Sequence, residues 1–358
     1  MLVRIAAACL CSVLMAQSAP QAQFEQAAAA LQRGDLEAAE RLFAEFVKVQ
    51  PRHVGGLGNL GVVYSRQGLP AKAAEVWERA LRLAPSDPAL RTNLGLAYLR
   101  LEEFPKAREV LTPVSTAQGR ELFATAQLFA GDPRAAMATL APLASSSGVL
   151  YLRAVAQLKL GLRDDAAATF AQLVESSLNA DQVAFLKGKA LYESGAFEEA
   201  IATFAAVKTA LPGLALERGK AYVSLRDSAR AEEELRAAIG ETPLDAEANY
   251  FLGAILVQQD RAAEGIAMLE KSLRARPAFW GTHFYLGRGY LALKKPKDAI
   301  AALERARVLR PEEAQVDFQL SRAYTAAGQA ASARVALERY RKAREAHREA
   351  EREALVLR

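Results

Sequence analysis

The sequence predicts an all-α fold, a solenoid of about ten helix–turn–helix repeats. The first observation is a period: Gly253 and Gly287 lie 34 residues apart, and so do Pro277 and Pro311. The second is composition, because the strong helix formers Ala, Leu, Glu, Arg and Gln are abundant along the 358 residues. A fixed period of this length is typical of a supersecondary unit that buries its apolar face by stacking against its neighbours.

The charge of the chain argues against a nucleic-acid partner. The formal net charge is +5, from 46 basic and 41 acidic residues, and both signs are mixed throughout. Nucleic-acid binding needs a concentrated basic stripe, which this pattern does not provide.

Residues 1–18 have the layout of a secretory signal peptide. Arg4 is followed by an apolar run, and cleavage after Ser18 suits the small residues there. We therefore expect export to the periplasm or the extracellular space of a bacterium. A lipid anchor is less favoured because Cys9 follows Arg4 closely and Cys11 follows a leucine. An apolar first helix of the solenoid is the other alternative.

Loss of this segment would remove both cysteines of the chain, Cys9 and Cys11. The remaining chain would then have no disulfide, no thiol nucleophile and no thiolate metal site. A cysteine-free chain also suits an oxidising compartment.

Residues 19–119 are predicted to form repeats 1 to 3. Ala27 stands where the first repeat would have its glycine, and the third repeat ends loosely at 112–119. The second repeat carries the pattern most clearly, with Leu60, Gly61, Tyr64, Gly68, Ala73, Trp77, Ala80 and Pro85.

This pattern resembles the tetratricopeptide repeat, a helix, a turn and a second antiparallel helix, across about residues 24–340. The resemblance implies an α-α superhelix, a right-handed solenoid that serves as a protein-interaction scaffold. Each motif position has a physical reason. Glycine lets two helices approach closely, aromatic residues fill the space between them, and proline ends the second helix.

Residues 120–180 are expected to contain two degenerate, shortened repeats, 4 and 5. Gly131 and Gly161 are only 30 residues apart, and Ala124 and Ala154 replace the repeat glycine. The segment 145–148, Ser-Ser-Ser-Gly, is a turn signal. Whether this region is a hinge or a rigid joint of different curvature remains open at this point.

The pattern sharpens again over 181–340, predicted as repeats 6 to 10. Residues 341–358 then read RKAREAHREAEREALVLR, a charged helix with a thin apolar seam. It is interpreted as a capping helix, with a coiled-coil partner helix as the alternative.

No pattern of catalytic or metal-binding residues stands out. His53, His283 and His347 fall in three distant repeats, and paired acids such as Asp164 and Asp165 suit the starts of helices. No phosphate-binding loop or nucleophile motif appears. The sequence therefore predicts no enzyme, no cofactor and no metal.

The resemblance implies that first helices line a concave groove that binds extended peptides. Two positions face that groove: three residues before the repeat glycine and one after it. The first row becomes aromatic from Tyr151 onward, and the second becomes basic from Lys189 onward. The predicted partner-binding residues are Tyr151, Phe185, Lys189, Lys220, Tyr250, Phe284, Arg288, Phe318 and Arg322.

Aromatic residues beside cations suit an extended acidic peptide or a terminal carboxylate. The competing interpretation is that the aromatics only fill space between neighbouring first helices. A two-carboxylate clamp of the family is not supported, since Asn93 lacks its lysine partners.

The predicted function is a non-enzymatic scaffold for a protein or peptide partner. One alternative is an envelope assembly or secretion factor that docks peripherally on an outer-membrane complex. The other is a cell-wall or polysaccharide-binding module, because aromatic rows also stack on sugars.

Overall fold

The structure is a computed structural model that describes residues 20–175 and 178–356. The predicted signal peptide, 1–18, lies outside the described residues. Twenty helices form ten antiparallel pairs within the described part of the chain. This confirms the predicted all-α solenoid of about ten helix–turn–helix repeats.

The chain divides into an N-terminal unit, Met1–Ser176, and a C-terminal unit, Ser177–Arg358. Five helix pairs are described in each. In the N-terminal unit the first helices are α1 (20–32), α3 (Val54–Arg66), α5 (Pro88–Arg100), α7 (Ala117–Phe129) and α9 (Ser147–Lys159). The second helices are α2 (Leu36–Val49), α4 (Pro70–Leu83), α6 (Phe104–Leu111), α8 (Pro133–Leu140) and α10 (Arg163–Glu175).

The C-terminal unit repeats the arrangement. Its first helices are α11 (Ala180–Glu193), α13 (Leu214–Ser224), α15 (Ala246–Gln258), α17 (Trp280–Ala292) and α19 (Ala314–Ala326). Its second helices are α12 (Phe197–Ala205), α14 (Ser228–Glu241), α16 (Ala262–Ala275), α18 (Pro296–Leu309) and α20 (Ala330–Val356). Successive first helices within this unit pack side by side, so their side chains form one continuous face.

The repeat glycines lie where the two helices of a pair come closest. A Cβ added to Gly253 would lie 2.6 Å from Leu269 Cγ, sixteen residues further on in the second helix. The other repeat glycines meet the residue at the same offset, in the pairs Gly61–Trp77, Gly95–Leu111, Gly188–Phe204, Gly219–Leu235 and Gly287–Leu303. Glycine therefore sets the distance between the helices, and the large partner fills the remaining space.

A left-handed residue joins the two helices of every pair. It is glycine in six pairs, as at Gly68 and Gly328, because glycine adopts positive φ without steric cost. In the other four pairs Glu102, Arg226, Asp260 and Lys294 adopt φ values of 60°, 60°, 62° and 56°. The turn geometry is thus kept even where the glycine is not.

Repeats 4 and 5 replace the usual tyrosine of the first helix by glutamine. Gln127 and Thr139 are both buried, and the Thr139 hydroxyl donates to Gln127 Oε1 at 2.8 Å. Thr169 donates to Gln157 Oε1 at the same distance one repeat later. The short second helices are α6, α8 and α12, with 8, 8 and 9 residues, whereas α10 has 13.

Helix α20 extends the last repeat without a break over 27 residues. Tyr340 packs its ring on Phe318 of α19, with centroids 5.2 Å apart, and Ala343 is half-buried. The charged side chains of Arg344 and Glu345, which follow, are exposed. The part nearest the last repeat therefore covers its apolar surface.

Candidate functional site

Eight of the nine predicted partner-binding residues lie on the first helices of the C-terminal unit. Tyr151 lies on α9 of the N-terminal unit and is half-buried. The face formed by α11, α13, α15, α17 and α19 is hereafter called the first-helix face. Phe185 lies at its start, where its ring is 6.1 Å from that of buried Phe204 in its own helix pair.

Aromatic rings of α15, of α17 and of its N-cap residue pack against one another on the first-helix face. The ring centroid of Tyr250 is 4.8 Å from Phe279 and 5.9 Å from Tyr285. Phe284 is 5.3 Å from Tyr285 and 6.0 Å from Trp280. These five residues, the aromatic cluster, fill the space between neighbouring first helices and still remain only half-buried. Space filling and ligand contact are therefore compatible here.

Two of the predicted arginines, Arg288 and Arg322, lie at the α17–α19 end of the face. The Arg288 guanidinium carbon lies 5.3 Å from the ring centre of Tyr285 and 6.0 Å from that of Phe284. Arg322 is exposed and donates to Gln319 Oε1 at 3.1 Å. Neither guanidinium has a carboxylate partner among residues 20–175 and 178–356. Both positive charges therefore remain available to a ligand.

The two predicted lysines have a different environment. Lys220 Nζ lies 3.1 Å from Glu217 Oε2 and 3.5 Å from Glu247 Oε1. Lys189 Nζ lies 3.4 Å from the other oxygen of Glu217. Lys189, Glu217, Lys220 and Glu247, the charge cluster, therefore join α11, α13 and α15 with no net charge.

Lys220 keeps its proton despite deep burial. Burial by itself would lower its pKa, but Glu247 and Glu217 together outweigh that effect and raise the pKa above its usual value. The ring of Tyr192 adds a cation–π contact at 5.2 Å. Burial also raises the pKa of Tyr192, so its hydroxyl stays protonated at neutral pH.

The sequence reasoning missed the residues that change the character of this face. Glu217 and Tyr285 stand two positions before their repeat glycines, a position that the sequence prediction did not include. Glu247 stands in the first turn of α15. Including that position would have revealed the first two. Glu247 carries no such signal, because its contact crosses from one repeat to the next.

A cleft lies in the N-terminal unit, between the second helices α4 and α6. It has a volume of about 650 Å³ and lies over α5. Its polar groups are mostly engaged within the protein: the Tyr98 hydroxyl donates to Glu78 at 2.6 Å and Arg91 donates to Pro85 O at 2.7 Å. Its charged side chains are of both signs, Glu78 and Glu109 with Arg82, Arg91 and Lys106.

Two histidines, His53 and His283, have structural roles. His53 caps α3, with Nδ1 accepting from Gly56 N at 3.0 Å. His283 Nε2 donates to Pro277 O at 2.9 Å. Residues 20–175 and 178–356 contain no group of three or more His, Cys, Asp or Glu side chains arranged to hold a metal. In the same part of the chain, no helix has both the length and the apolar character needed to cross a bilayer.

Stacked antiparallel helix pairs whose first helices form one continuous face define a helical-repeat protein. Proteins of this class use such extended faces as interaction scaffolds. The family model described as tetratricopeptide repeat matches residues 24–88, 59–112, 151–215 and 216–278. Together these matches cover more than half of the chain, and the chain belongs to the tetratricopeptide repeat family. Arrays of this family serve in general as scaffolds for protein–protein interaction.

A solved structure shows the same fold. A tetratricopeptide repeat protein from Parabacteroides merdae ATCC 43184 matches with a TM-score of 0.55 and 16% identity, over 66% of this chain and 98% of that one. Structures of MamA also match: MamA MSR-1 at 25% identity over 47% and 98% of the two chains, with a TM-score of 0.42, and another at 22% over 45% and 96%, with 0.41. No curated protein sequence matches the chain.

Proposed function

We propose that the protein is a non-enzymatic scaffold whose first-helix face binds an extended, acidic segment of a partner protein. The observation that carries this proposal is the combination of half-buried aromatics with unpaired cations at Arg288 and Arg322. An extended chain places alternate side chains on one side, which suits contact with successive first helices. Carboxylates of the partner would meet these two guanidinium groups and form charge-assisted hydrogen bonds, which are stronger than neutral ones.

The electrostatics favour an acidic ligand at the α17–α19 end. Arg288 lies beside the ring of Tyr285, which excludes water from one side of its cation, and Arg322 is an exposed cation four residues after Phe318 on α19. A carboxylate arriving here neutralises a charge that the described protein leaves unpaired. The family's scaffold role and this charge pattern point to the same activity.

We further propose that binding takes place outside the cytoplasm. The signal-peptide pattern of residues 1–18 supports export. This proposal is independent of the proposed binding at the first-helix face. Cell fractionation of the full chain tests it, with the protein expected in the periplasmic or extracellular fraction. Recovery of the unprocessed chain in the cytoplasm would refute export.

The binding proposal is tested with a fluorescent 15-residue peptide in which glutamates alternate with leucine or phenylalanine. Arg288→Gln combined with Arg322→Gln should weaken binding about tenfold to hundredfold, as expected for two solvent-accessible contacts worth about 0.7–1.4 kcal/mol each. Raising the salt concentration should weaken binding of the unchanged chain as well. Fluorescence anisotropy measures both effects.

The matched control removes two exposed arginines from the second helix α14, Arg230→Gln with Arg236→Gln. The net charge changes equally, so binding should be retained. Equal loss in both double variants would reduce the effect to overall charge and refute the site. Retention of the protein on insoluble polysaccharide, with no peptide bound, would instead favour the wall-binding alternative.

A further inference from the structure

The charge cluster alternates in sign along the first-helix face. Lys189 on α11 meets Glu217 on α13, Glu217 also meets Lys220, and Lys220 meets Glu247 on α15. Each lysine is thus matched by one carboxylate. This part of the face offers no net positive charge, although its sequence row is basic.

The members of the cluster differ in access. The side chains of Lys220 and Glu217 are only 10% and 9% exposed, whereas that of Glu247 is 41% exposed. Glu217 is held from two sides by lysines and is not accessible to an incoming group. Glu247 is therefore the member that a ligand carboxylate would have to displace to reach Lys220.

Such a displacement brings little gain. It exchanges one carboxylate for another at Lys220, so the number of ion pairs at that lysine is unchanged. It also removes a contact between α13 and α15 and requires the ligand carboxylate to lose water. A partner carboxylate at Arg288 or Arg322 displaces no protein carboxylate.

We propose that Glu247 is a specificity-determining residue that closes the Lys189–Lys220 section of the face to acidic residues. The partner segment is accordingly bipartite. Its acidic residues lie against α17 and α19, and uncharged, largely apolar residues lie against α11 to α15, near Phe185. This inference rests on the proposed function and deepens it by stating which half of the partner carries the charge.

Three fluorescent peptides of one length test it, all with the same apolar positions. Two carry glutamates in one half only, either the first or the second, and the third carries them in both halves. The full chain should bind the doubly acidic peptide within about twofold of the better half-acidic one. In Glu247→Gln the doubly acidic peptide should gain about tenfold, because Lys220 is then short of a carboxylate.

The control Glu233→Gln makes the same charge change on the exposed side of α14 and should leave all three affinities unchanged. Adding Lys220→Met to Glu247→Gln should cancel the gain. Glu247→Asp, which shortens the side chain but keeps its charge, should give an intermediate gain. Circular dichroism and thermal melting check that each variant is folded.

The outcomes separate the two proposals. The role of Glu247 is wrong if the unchanged chain binds the doubly acidic peptide tenfold more tightly than the better half-acidic one. It is also wrong if Glu247→Gln brings no gain in affinity for the doubly acidic peptide. Dependence of binding on Arg288 and Arg322 would then still uphold the proposed function. If no peptide binds the unchanged chain, the proposed function fails, and the role of Glu247 fails with it.

Discussion

Gly253→Ala tests the close packing on which the six helix pairs with a repeat glycine depend. A Cβ at this position would lie 2.6 Å from Leu269 Cγ and 2.9 Å from the carbonyl oxygen of Gly265. Leu269 is a fully buried side chain, and the second obstacle is backbone of α16. Because a backbone carbonyl cannot rotate away, the two helices of the pair must separate to admit the methyl group.

The expected cost follows from two opposing effects. Overpacking a tight interface typically costs about 1–3 kcal/mol, and replacing a helical glycine by alanine gains about 1 kcal/mol of helix propensity. A net loss of up to about 2 kcal/mol is therefore expected for Gly253→Ala. Gly240→Ala is the matched control, because its Cβ would meet nothing within 4 Å in α14. That variant should gain up to about 1 kcal/mol.

Hydrogen exchange is the appropriate assay, because repeat arrays open locally and do not always unfold in one step. Amides of α15 and α16 should lose protection in Gly253→Ala, with those of the N-terminal unit as an internal reference. Urea unfolding followed by circular dichroism gives the overall change. Equal or greater stability of Gly253→Ala relative to Gly240→Ala would refute the close-packing explanation.

Three further predictions concern single contacts. Tyr324→Phe removes a 2.6 Å hydrogen bond to Glu304 between successive repeats and should cost about 1 kcal/mol in urea unfolding; no loss would mean that water replaces the hydroxyl without penalty. Burial lowers the pKa of His283, so the neutral form is favoured in the folded state and stability should fall as pH drops below about 6.5. Thermal melting between pH 7.5 and 5.5 should show this slope, and His283→Gln should reduce it; an unchanged slope would assign it to other groups. Lys294→Gly removes the steric strain of a non-glycine residue in the left-handed region and should stabilise the chain by up to about 1 kcal/mol. Gly328→Ala at the same turn position should destabilise it by a similar amount. Stabilisation by both would contradict the turn argument.

The fold was predictable because its signals are local. The repeat glycine and its partner sixteen residues later belong to one helix pair, so a single period contains both sides of the contact. Register then follows from sequence alone, as Gly253 and Gly287 show. Even the four turns that lack glycine keep their geometry, because the surrounding pair dictates it.

The site was less predictable because its contacts join different repeats. Lys220 and Glu247 are 27 residues apart, and their meeting depends on how α13 packs against α15. The sequence prediction therefore treated Lys189 and Lys220 as equivalent to Arg288 and Arg322. The structure separates them, since the lysines are ion-paired with glutamates of the protein, whereas Arg288 and Arg322 have no carboxylate partner among residues 20–175 and 178–356.

By itself, the sequence determined the helical repeat, its register and the first-helix positions at which a partner is expected. Those features arise from helix propensity, apolar periodicity and close contacts inside one repeat, all of which are written within about 34 residues. Only the tertiary structure decided which of the basic side chains keep a free charge. That outcome depends on distances of 3–4 Å between side chains of neighbouring helices, where Coulomb attraction and burial act together and a linear pattern carries no information.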